Sequence, residues 1–331
     1  MEPDETMEPA GNQGSDRLAA SSLPIPEAIS NGSHAAQLIQ KQTRRLGRLQ
    51  PEVLADVDPE PLHQLRVSLR RLRTALVQFQ PALSLPDGIS ERRIARVARR
   101  TGLCRDLDVL RQRLESGLLP SLTEAETRAL RPAMKQLNRD RRRAFEGLAE
   151  SLRGHRYLKL LERLHRWQDH PRFTSLGERP LQPWLGEWRA QAAAGLFLEP
   201  GWFSTDPADP ALHGLRKRIK GVRYGLENLE PYLEPAFSPW LSDLKRAQDI
   251  LGDLHDLEVL AAALEDVLGS SPLFSQLSHW IEGQQREGWQ HWLELGDRLS
   301  QDSSRSSLQG LLAGAGTKKP AGEAGEVVMN G

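Results

Sequence analysis

Apolar residues, mostly leucine, recur at spacings of three and four along nearly the whole chain of 331 residues. This is the period of an amphipathic α-helix, and the β-branched runs typical of strands are almost absent. We therefore predict an all-α fold, with Ser33, Ser90 and Ser238 as N-caps. The predicted helices span about 34–50, 59–80, 90–116, 123–151 with a continuation to about 168, 182–195, 209–230, 238–268 and 273–300.

Helix-breaking residues divide the chain into two halves. Pro171, Pro180 and Pro183 interrupt the pattern after the fourth helix, which makes this stretch the expected linker. We predict a disordered acidic tail over 1–32, a first four-helix half over 33–170, a second four-helix half over 171–301, and a disordered tail rich in Ser and Gly over 302–331.

An internal repeat appears when the chain is compared with itself at a shift of 150 residues. Segment 62–81 (LHQLRVSLRRLRTALVQFQP) matches 212–231 (LHGLRKRIKGVRYGLENLEP) at seven of twenty positions, and 102–110 (GLCRDLDVL) matches 252–260 (GDLHDLEVL) at five of nine. Chance would give about two identities over both segments. The sequence therefore predicts an internal duplication that forms two four-helix bundles related by a pseudo-twofold axis.

Charge is segregated along the chain although it sums to zero, with 44 basic and 44 acidic residues. Residues 41–166 hold 28 bases and 15 acids, whereas 167–331 hold 15 and 23. Of the 44 bases 36 are arginine, whose planar fork of donors fits the oxygens of phosphate or carboxylate. The basic first half therefore favours an anionic ligand.

The repeated segments each carry a cationic helix face. His63, Arg66, Arg70 and Arg73 fall within an arc of about 80° on a helix, and their counterparts are His213, Arg216, Lys220 and Arg223. Neither 62–76 nor 211–226 contains an acid. Because like charges on one face repel, a bound polyanion would relieve a cost that the chain carries twice. The alternative is that acids on neighbouring helices neutralise these faces.

Other charged residues extend the candidate binding surface. The next helix of each half and the fourth helix of the first half add further bases, namely Arg92, Arg96, Arg99, Arg100, Lys245, Arg246, Arg139 and Arg142. Four acids of the repeated acidic segments are expected to orient the arginines of the adjacent cationic faces through salt bridges, namely Asp106, Asp108, Asp256 and Glu258.

Several classes of function are disfavoured. A single cysteine, Cys104, excludes an internal disulfide framework and a zinc site built from cysteines. No apolar run approaches the roughly 20 residues of a membrane span, and the acidic N-terminal segment is unlike a signal peptide, so we expect a cytoplasmic chain. We assign no catalytic residue, metal or cofactor. The dipeptide His255-Asp256 is the one His-Asp pair that suggests a metal-dependent phosphohydrolase, but its counterpart in the first half is Arg105-Asp106, so the histidine is not repeated.

Two other functions stay open at this point. His255, Asp256 and Asp106 leave room for a metal-dependent phosphohydrolase acting on polyphosphate or nucleotides. A nucleic-acid-binding or scaffold protein is the other alternative. Binding of single strands is disfavoured because the eight tryptophans, from Trp167 to Trp292, lie outside the cationic faces where bases would stack. Contact with a duplex through its phosphates alone stays open, as does docking of a partner on the Trp-rich helices.

The repeated motif His-x-x-Arg-x-x-x-Arg/Lys-x-x-Arg, followed each time by Arg/His-Asp-Leu-Asp/Glu-Val-Leu, resembles the CHAD family, the conserved-histidine α-helical domain, over about residues 34–300. The resemblance implies two four-helix halves that bind inorganic polyphosphate through basic side chains, and an association with polyphosphate granules. It implies that the two cationic faces line the polyphosphate surface. This sequence departs from the repeat at Gly221 and Gly225, which replace Arg71 and Ala75 of the first half, so we expect the second face to be less basic or more open.

Overall fold

The fold is all-α, as predicted. The computed structural model describes residues 29–269 and 272–314, and within these ranges it contains two isolated β-bridges and no sheet. The helices are α1 (Asn31–Ala55), α2 (Glu60–Gln78), α3 (Glu91–Arg100), α4 (Gly102–Gln112), α5 (Glu124–Arg153), α6 (His155–Asp169), α7 (Leu185–Ala193), α8 (Pro210–Glu227), α9 (Phe237–Leu268), α10 (Pro272–Ser300) and α11 (Asp302–Leu312).

Helix boundaries differ from the predicted ones at a few positions. The helix expected over 90–116 breaks at Thr101 into α3 and α4 and ends in a π-helical turn, Arg113–Leu118. Ser30 caps α1 instead of Ser33, since the Ser30 hydroxyl accepts a hydrogen bond from the Ser33 N–H at 3.1 Å. Helix α9 begins at Phe237, so Ser238 lies inside the helix and cannot be its N-cap.

Helix packing follows the 150-residue repeat. The contacts of α1 with α2, α2 with α3, α4 with α5 and α1 with α6 recur as α7 with α8, α8 with α9, α9 with α10 and α7 with α11. Helix α11 thus takes the place in the second half that α6 takes in the first. This order supports the duplication, which stays a prediction from the sequence.

The C-terminal segment 302–312 is helical, which corrects the expectation that the tail is disordered from 302 onward. The short apolar pattern of α11 is stabilised by packing, because Leu308 is buried in the core of the second half. Arg189 on α7 also donates from Nη1 to the Leu311 carbonyl oxygen at 3.5 Å. The predicted tails over 1–28 and 315–331 lie outside the described residues.

The two halves share core as well as surface. One apolar cluster is centred on α1, α2 and α6, and a second is centred on α8 and α9. A third joins both halves, because Leu110, Leu114 and Leu118 of the first pack with Leu257 and Leu260 of the second. The two halves are therefore packed together through shared apolar core, and the linker after α6 does not separate independent cores.

Helix α2 packs directly against α8 near the middle of the molecule. Gln78 at the end of α2 donates from Nε2 to the Gly225 carbonyl oxygen at 3.1 Å and accepts from Asn228 Nδ2 at 2.9 Å. Arg71 pairs with Glu227 at 2.6 Å. Gly225 also allows α7 to approach α8 closely, because a Cβ there would lie 2.9 Å from the Ala192 Cβ of α7. The contact between α2 and α8 brings the two cationic faces side by side.

Replacing Leu308 by alanine tests whether α11 is an integral part of the fold. We expect Leu308→Ala to lower the free energy of unfolding by about 2–5 kcal/mol, as for other leucines truncated in a packed core. Urea denaturation measures the change. Leu103→Ala is the matched control, because Leu103 is also helical but 63% exposed. Equal, small effects of both substitutions would show that α11 does not contribute to the core.

Candidate functional site

A groove of about 650 Å³ lies between α2 and α4 of the first half and α8 and α9 of the second. We call it the central groove. All four helices line it with polar side chains, and among the described residues its apolar lining consists of Val109, Leu110 and Val259. Its polar side chains and its one glycine are His63, Arg66, Arg70, Arg105, Asp106, Arg216, Lys220, Gln248, Asp249, Gly252, Asp253, His255 and Asp256.

The structure brings most of the repeated cationic face together in this groove. His63, Arg66 and Arg70 line it from α2, and Arg216 and Lys220 line it from α8. The predicted supporting acids Asp106 and Asp256 line it as well, from α4 and α9. The contact between α2 and α8 thus converts two helix faces, 150 residues apart, into one surface.

Three residues of the predicted faces do not line the groove. Arg73 pairs with Glu91 at the start of α3. Arg223 is buried, pairs with Glu227, and stacks over the Tyr224 ring at 4.4 Å. His213 is exposed and lies beside a neighbouring pocket of about 400 Å³.

The remaining predicted residues do not line the central groove. Asp108 is buried and accepts from Arg141 Nε at 2.8 Å, so it orients a different arginine from the one expected. Glu258 Oε2 lies 3.5 Å from His255 Nδ1 on the same helix. Arg139 donates to Gln136 within its own helix. The other bases outside the groove are Arg92, Arg96, Arg99, Arg100, Arg142, Lys245 and Arg246.

Acids from α4 and α9 line the groove, so in the folded protein carboxylates lie close to the cationic faces. Asp106 lies 3.8 Å from Arg66. Arg113, which does not line the groove, pairs with Asp253 and lies 3.6 Å from Asp256. Lys245 pairs with Asp249 at 3.1 Å. Each groove acid therefore has a cation partner, and three of the four have that partner outside the groove.

Four groove cations have no ion pair within the described part of the chain, namely Arg70, Arg105, Arg216 and Lys220. Arg66 donates from Nη1 to Thr101 Oγ1 at 3.2 Å, but its Nε is buried without a hydrogen-bond partner. The Nε of Arg216 is buried and unpaired in the same way. An unpaired buried donor is costly, so both arginines are held in the fold at an energetic cost.

Burial and crowding disfavour positive charge in the groove. They lower the pKa of Lys220 to about 7, through its burial first and then the charges of Arg216 and Arg70. Burial, followed by the charge of Arg70, lowers the pKa of Arg66 to about 10. The pKa of His63 is also lowered, by burial and by Arg105. A bound anion would reverse these shifts, because it favours the charged forms.

Burial acts on the groove acid Asp106 in the opposite direction and raises its pKa, while Arg66 partly restores the charged form. The same low-dielectric surroundings thus weaken the charge of both signs. The protein's own polar groups therefore compensate only part of the cost of burying charge in the groove.

Sequence reasoning missed two contributors. Arg105 lines the groove on α4, and the repeat contained a signal for it, since its counterpart His255 lines the groove on α9. Arg113 controls the groove acids through pairs that join the two halves. No repeat signal marks Arg113, because the residue 150 positions later is Ala263.

The described residues were compared with the requirements of a metal site and of a membrane span. They contain no group of three or more His, Cys, Asp and Glu side chains placed to hold a metal ion. In the same part of the chain, no helix combines the length and the apolar character needed to cross a membrane.

Comparison with known proteins agrees with the resemblance in the sequence. The family model described as CHAD domain matches residues 37–265. The fold is similar to the crystal structure of the CHAD domain from the plant Ricinus communis, with a TM-score of 0.60, 22% identity, and coverage of 90% of this chain and 98% of that one. It is also similar to PptA from Streptomyces chartreusis, with a TM-score of 0.60, 19% identity, and coverage of 85% and 99%. Among curated proteins none matches the chain in sequence.

The lowered pKa of Lys220 predicts how stability changes with pH. Between pH of about 7 and about 10 the unfolded chain binds a proton at this lysine more readily than the folded chain does, so the free energy of unfolding rises with pH across this window. Lys220→Met should flatten that rise, as measured by urea denaturation at several pH values. Lys217→Met, at an exposed position of α8, is the control that should keep it. A wild-type slope in Lys220→Met would contradict the lowered pKa.

Proposed function

The chain belongs to the CHAD domain family, and on that premise we propose that its central groove binds inorganic polyphosphate without catalysing a reaction. The observation that carries the proposal is the convergence of Arg70, Arg216 and Lys220 from both halves on one groove, without ion pairs in the described part of the chain. An extended anion with a charge on every repeat unit matches such a row of cations.

The chemistry of the groove favours phosphate oxygens. Arginine donates two parallel hydrogen bonds to a phosphate, and each charge-assisted bond contributes about 1.5–3 kcal/mol. Arg70, Arg105 and Arg216 have no ion pair in the described part of the chain, so their guanidinium donors can bind such an oxygen. Lys220, whose pKa is about 7, would take up a proton when the anion binds. Charge and hydrogen bonding therefore support the same ligand.

The groove lining disfavours single-stranded nucleic acid. Binders of this class stack bases on aromatic side chains within a basic groove. Of the described residues that line the central groove, none is Phe, Tyr or Trp. The buried tryptophans Trp188, Trp202 and Trp292 are instead packed in the apolar cores. Polyphosphate, which has no bases, needs only the cations.

The placement of the acids supports binding without catalysis. Asp253 and Asp256 face Arg113, and Asp106 faces Arg66, so these carboxylates are engaged with cations. A divalent cation would also have to enter among Arg70, Arg105 and Arg216, which repel it. The metal-dependent phosphohydrolase suggested by His255 and Asp256 is therefore the second candidate, and the assay below separates it from binding alone.

Neutralising two groove arginines tests the proposal. We expect Arg70→Gln combined with Arg216→Gln to weaken polyphosphate binding at least about tenfold, because two charge-assisted contacts are lost. The dependence of log affinity on log salt should also become shallower. Isothermal titration with polyphosphate of defined length measures both, and circular dichroism checks that the helices remain.

The matched control is Arg96→Gln combined with Arg142→Gln, which removes the same charge at exposed positions outside the groove. An equal loss in this control would show that net charge alone binds polyphosphate. Release of phosphate by wild-type protein with Mg²⁺ or Mn²⁺ would support the phosphohydrolase, and displacement of polyphosphate by RNA of equal charge would support nucleic-acid binding.

Arg113→Gln should weaken binding although Arg113 does not line the groove. The substitution leaves Asp253 and Asp256 without their partner, and their charge then repels the anion. We expect a loss of about threefold to tenfold in affinity. Adding Asp253→Asn should recover most of it, because one repelling charge is gone. If the double variant binds as weakly as Arg113→Gln, the pairing of acids is not what keeps the groove available.

A further inference from the structure

Two glycines lie beside the two arginines that repeat between the halves. Gly102 at the start of α4 adjoins Arg66, and Gly252 on α9 adjoins Arg216. Both pairs are related by the same shift of 150 residues. The same arrangement thus occurs twice, once in each half.

We propose that Gly102 and Gly252 are positioning residues, each providing the bare stretch of helix on which one guanidinium lies as it enters the groove. This inference rests on the proposed function. It adds the residues that fix the position of the guanidinium donors that bind the anion. A Cβ on Gly252 would lie 3.3 Å from Arg216 Nη2 and 3.6 Å from Nε. A Cβ on Gly102 would lie 3.4 Å from Arg66 Nη1. A Cβ on Gly252 is therefore slightly closer than an ordinary contact and displaces the Arg216 guanidinium by a few tenths of an ångström, whereas a Cβ on Gly102 just touches the Arg66 guanidinium.

Backbone geometry does not explain either glycine. The glycines with positive φ are Gly88, Gly195, Gly269 and Gly314 among the described residues, so Gly102 and Gly252 have conformations that any residue adopts. Glycine is also among the poorest helix formers. At these two positions, unlike Gly47 and Gly283, an arginine side chain occupies the space beside the glycine.

The arginines have little room to retreat from a side chain at these positions. The Nε atoms of Arg66 and Arg216 are buried, so the protein encloses each side chain up to its guanidinium. Arg66 is also held by the Thr101 hydroxyl at 3.2 Å. A guanidinium pushed off the helix moves into the groove, toward Arg70 and Lys220, where positive charge is already disfavoured. The donors then no longer match the anion.

Glycine-to-alanine substitutions test the proposal, with binding and stability expected to separate. Gly252→Ala and Gly102→Ala should each weaken polyphosphate binding about threefold to tenfold, a fraction of one charge-assisted hydrogen bond. Gly47→Ala in α1 and Gly283→Ala in α10 are the matched controls, because nothing lies within 4 Å of a Cβ at either position. The controls should raise the midpoint of thermal unfolding and leave affinity unchanged.

A double-mutant cycle distinguishes positioning from a merely structural role. In an Arg216→Ala background Gly252→Ala should cause no further loss of affinity, because the side chain that it displaces is absent. Independent losses in the two variants would overturn the proposal. Gly252→Val is the stronger step; a folded Gly252→Val that binds polyphosphate like wild type would also overturn it, and if that variant does not fold, the alanine cycle decides.

A measurement without polyphosphate keeps this inference separate from the proposed function. In protein labelled at arginine, Gly252→Ala should shift the NMR signal of the Arg216 Nε–H and leave that of Arg66 in place, and Gly102→Ala should do the reverse. Those shifts, in a protein that fails to bind polyphosphate, would support the positioning role and remove the proposed function. Unmoved signals together with unchanged affinity would remove the positioning role alone.

Discussion

The close approach of like charges between α2 and α8 is the constraint on which the rest of the structure depends. Arg66 and Arg70 stand beside Arg216 and Lys220 in one groove, and burial strengthens their repulsion. A packed apolar core must hold them there. Three leucine-rich clusters do so, and two of them contain residues of both halves. The energy of packing thus maintains a charge arrangement that is unfavourable by itself.

The acids of the groove are arranged to limit how much they offset this charge. A carboxylate close to a guanidinium can occupy the donors that a ligand would use. Here Arg113 and Lys245 approach from outside and hold Asp253, Asp256 and Asp249. The carboxylates therefore supply local balance for folding, while most of the cations facing the groove stay available. The formal charges that line the groove nearly cancel. Most of its cations nevertheless have no ion-pair partner among the described residues, so their donors can bind a ligand.

The two halves share a plan but have diverged in detail. Arg73 and Arg223 correspond in the repeat, yet Arg73 is exposed beside Glu91 and Arg223 is buried against Tyr224. The helix that carries the acidic motif breaks at Thr101 in the first half and runs unbroken through α9 in the second. Such differences make the groove asymmetric, and they concentrate its acids on the side of α9.

The sequence by itself determined the helical class, the order of the helices and the core of the candidate site. Periodicity and an internal repeat can be read directly from the order of residues, so the sequence alone identifies His63, Arg66 and Arg216. The chain alone did not reveal α11, whose short pattern becomes helical through the burial of Leu308. Only the tertiary structure decided which basic residues share a groove and which are neutralised, because these depend on neighbours far apart in sequence, such as Arg113 beside Asp253.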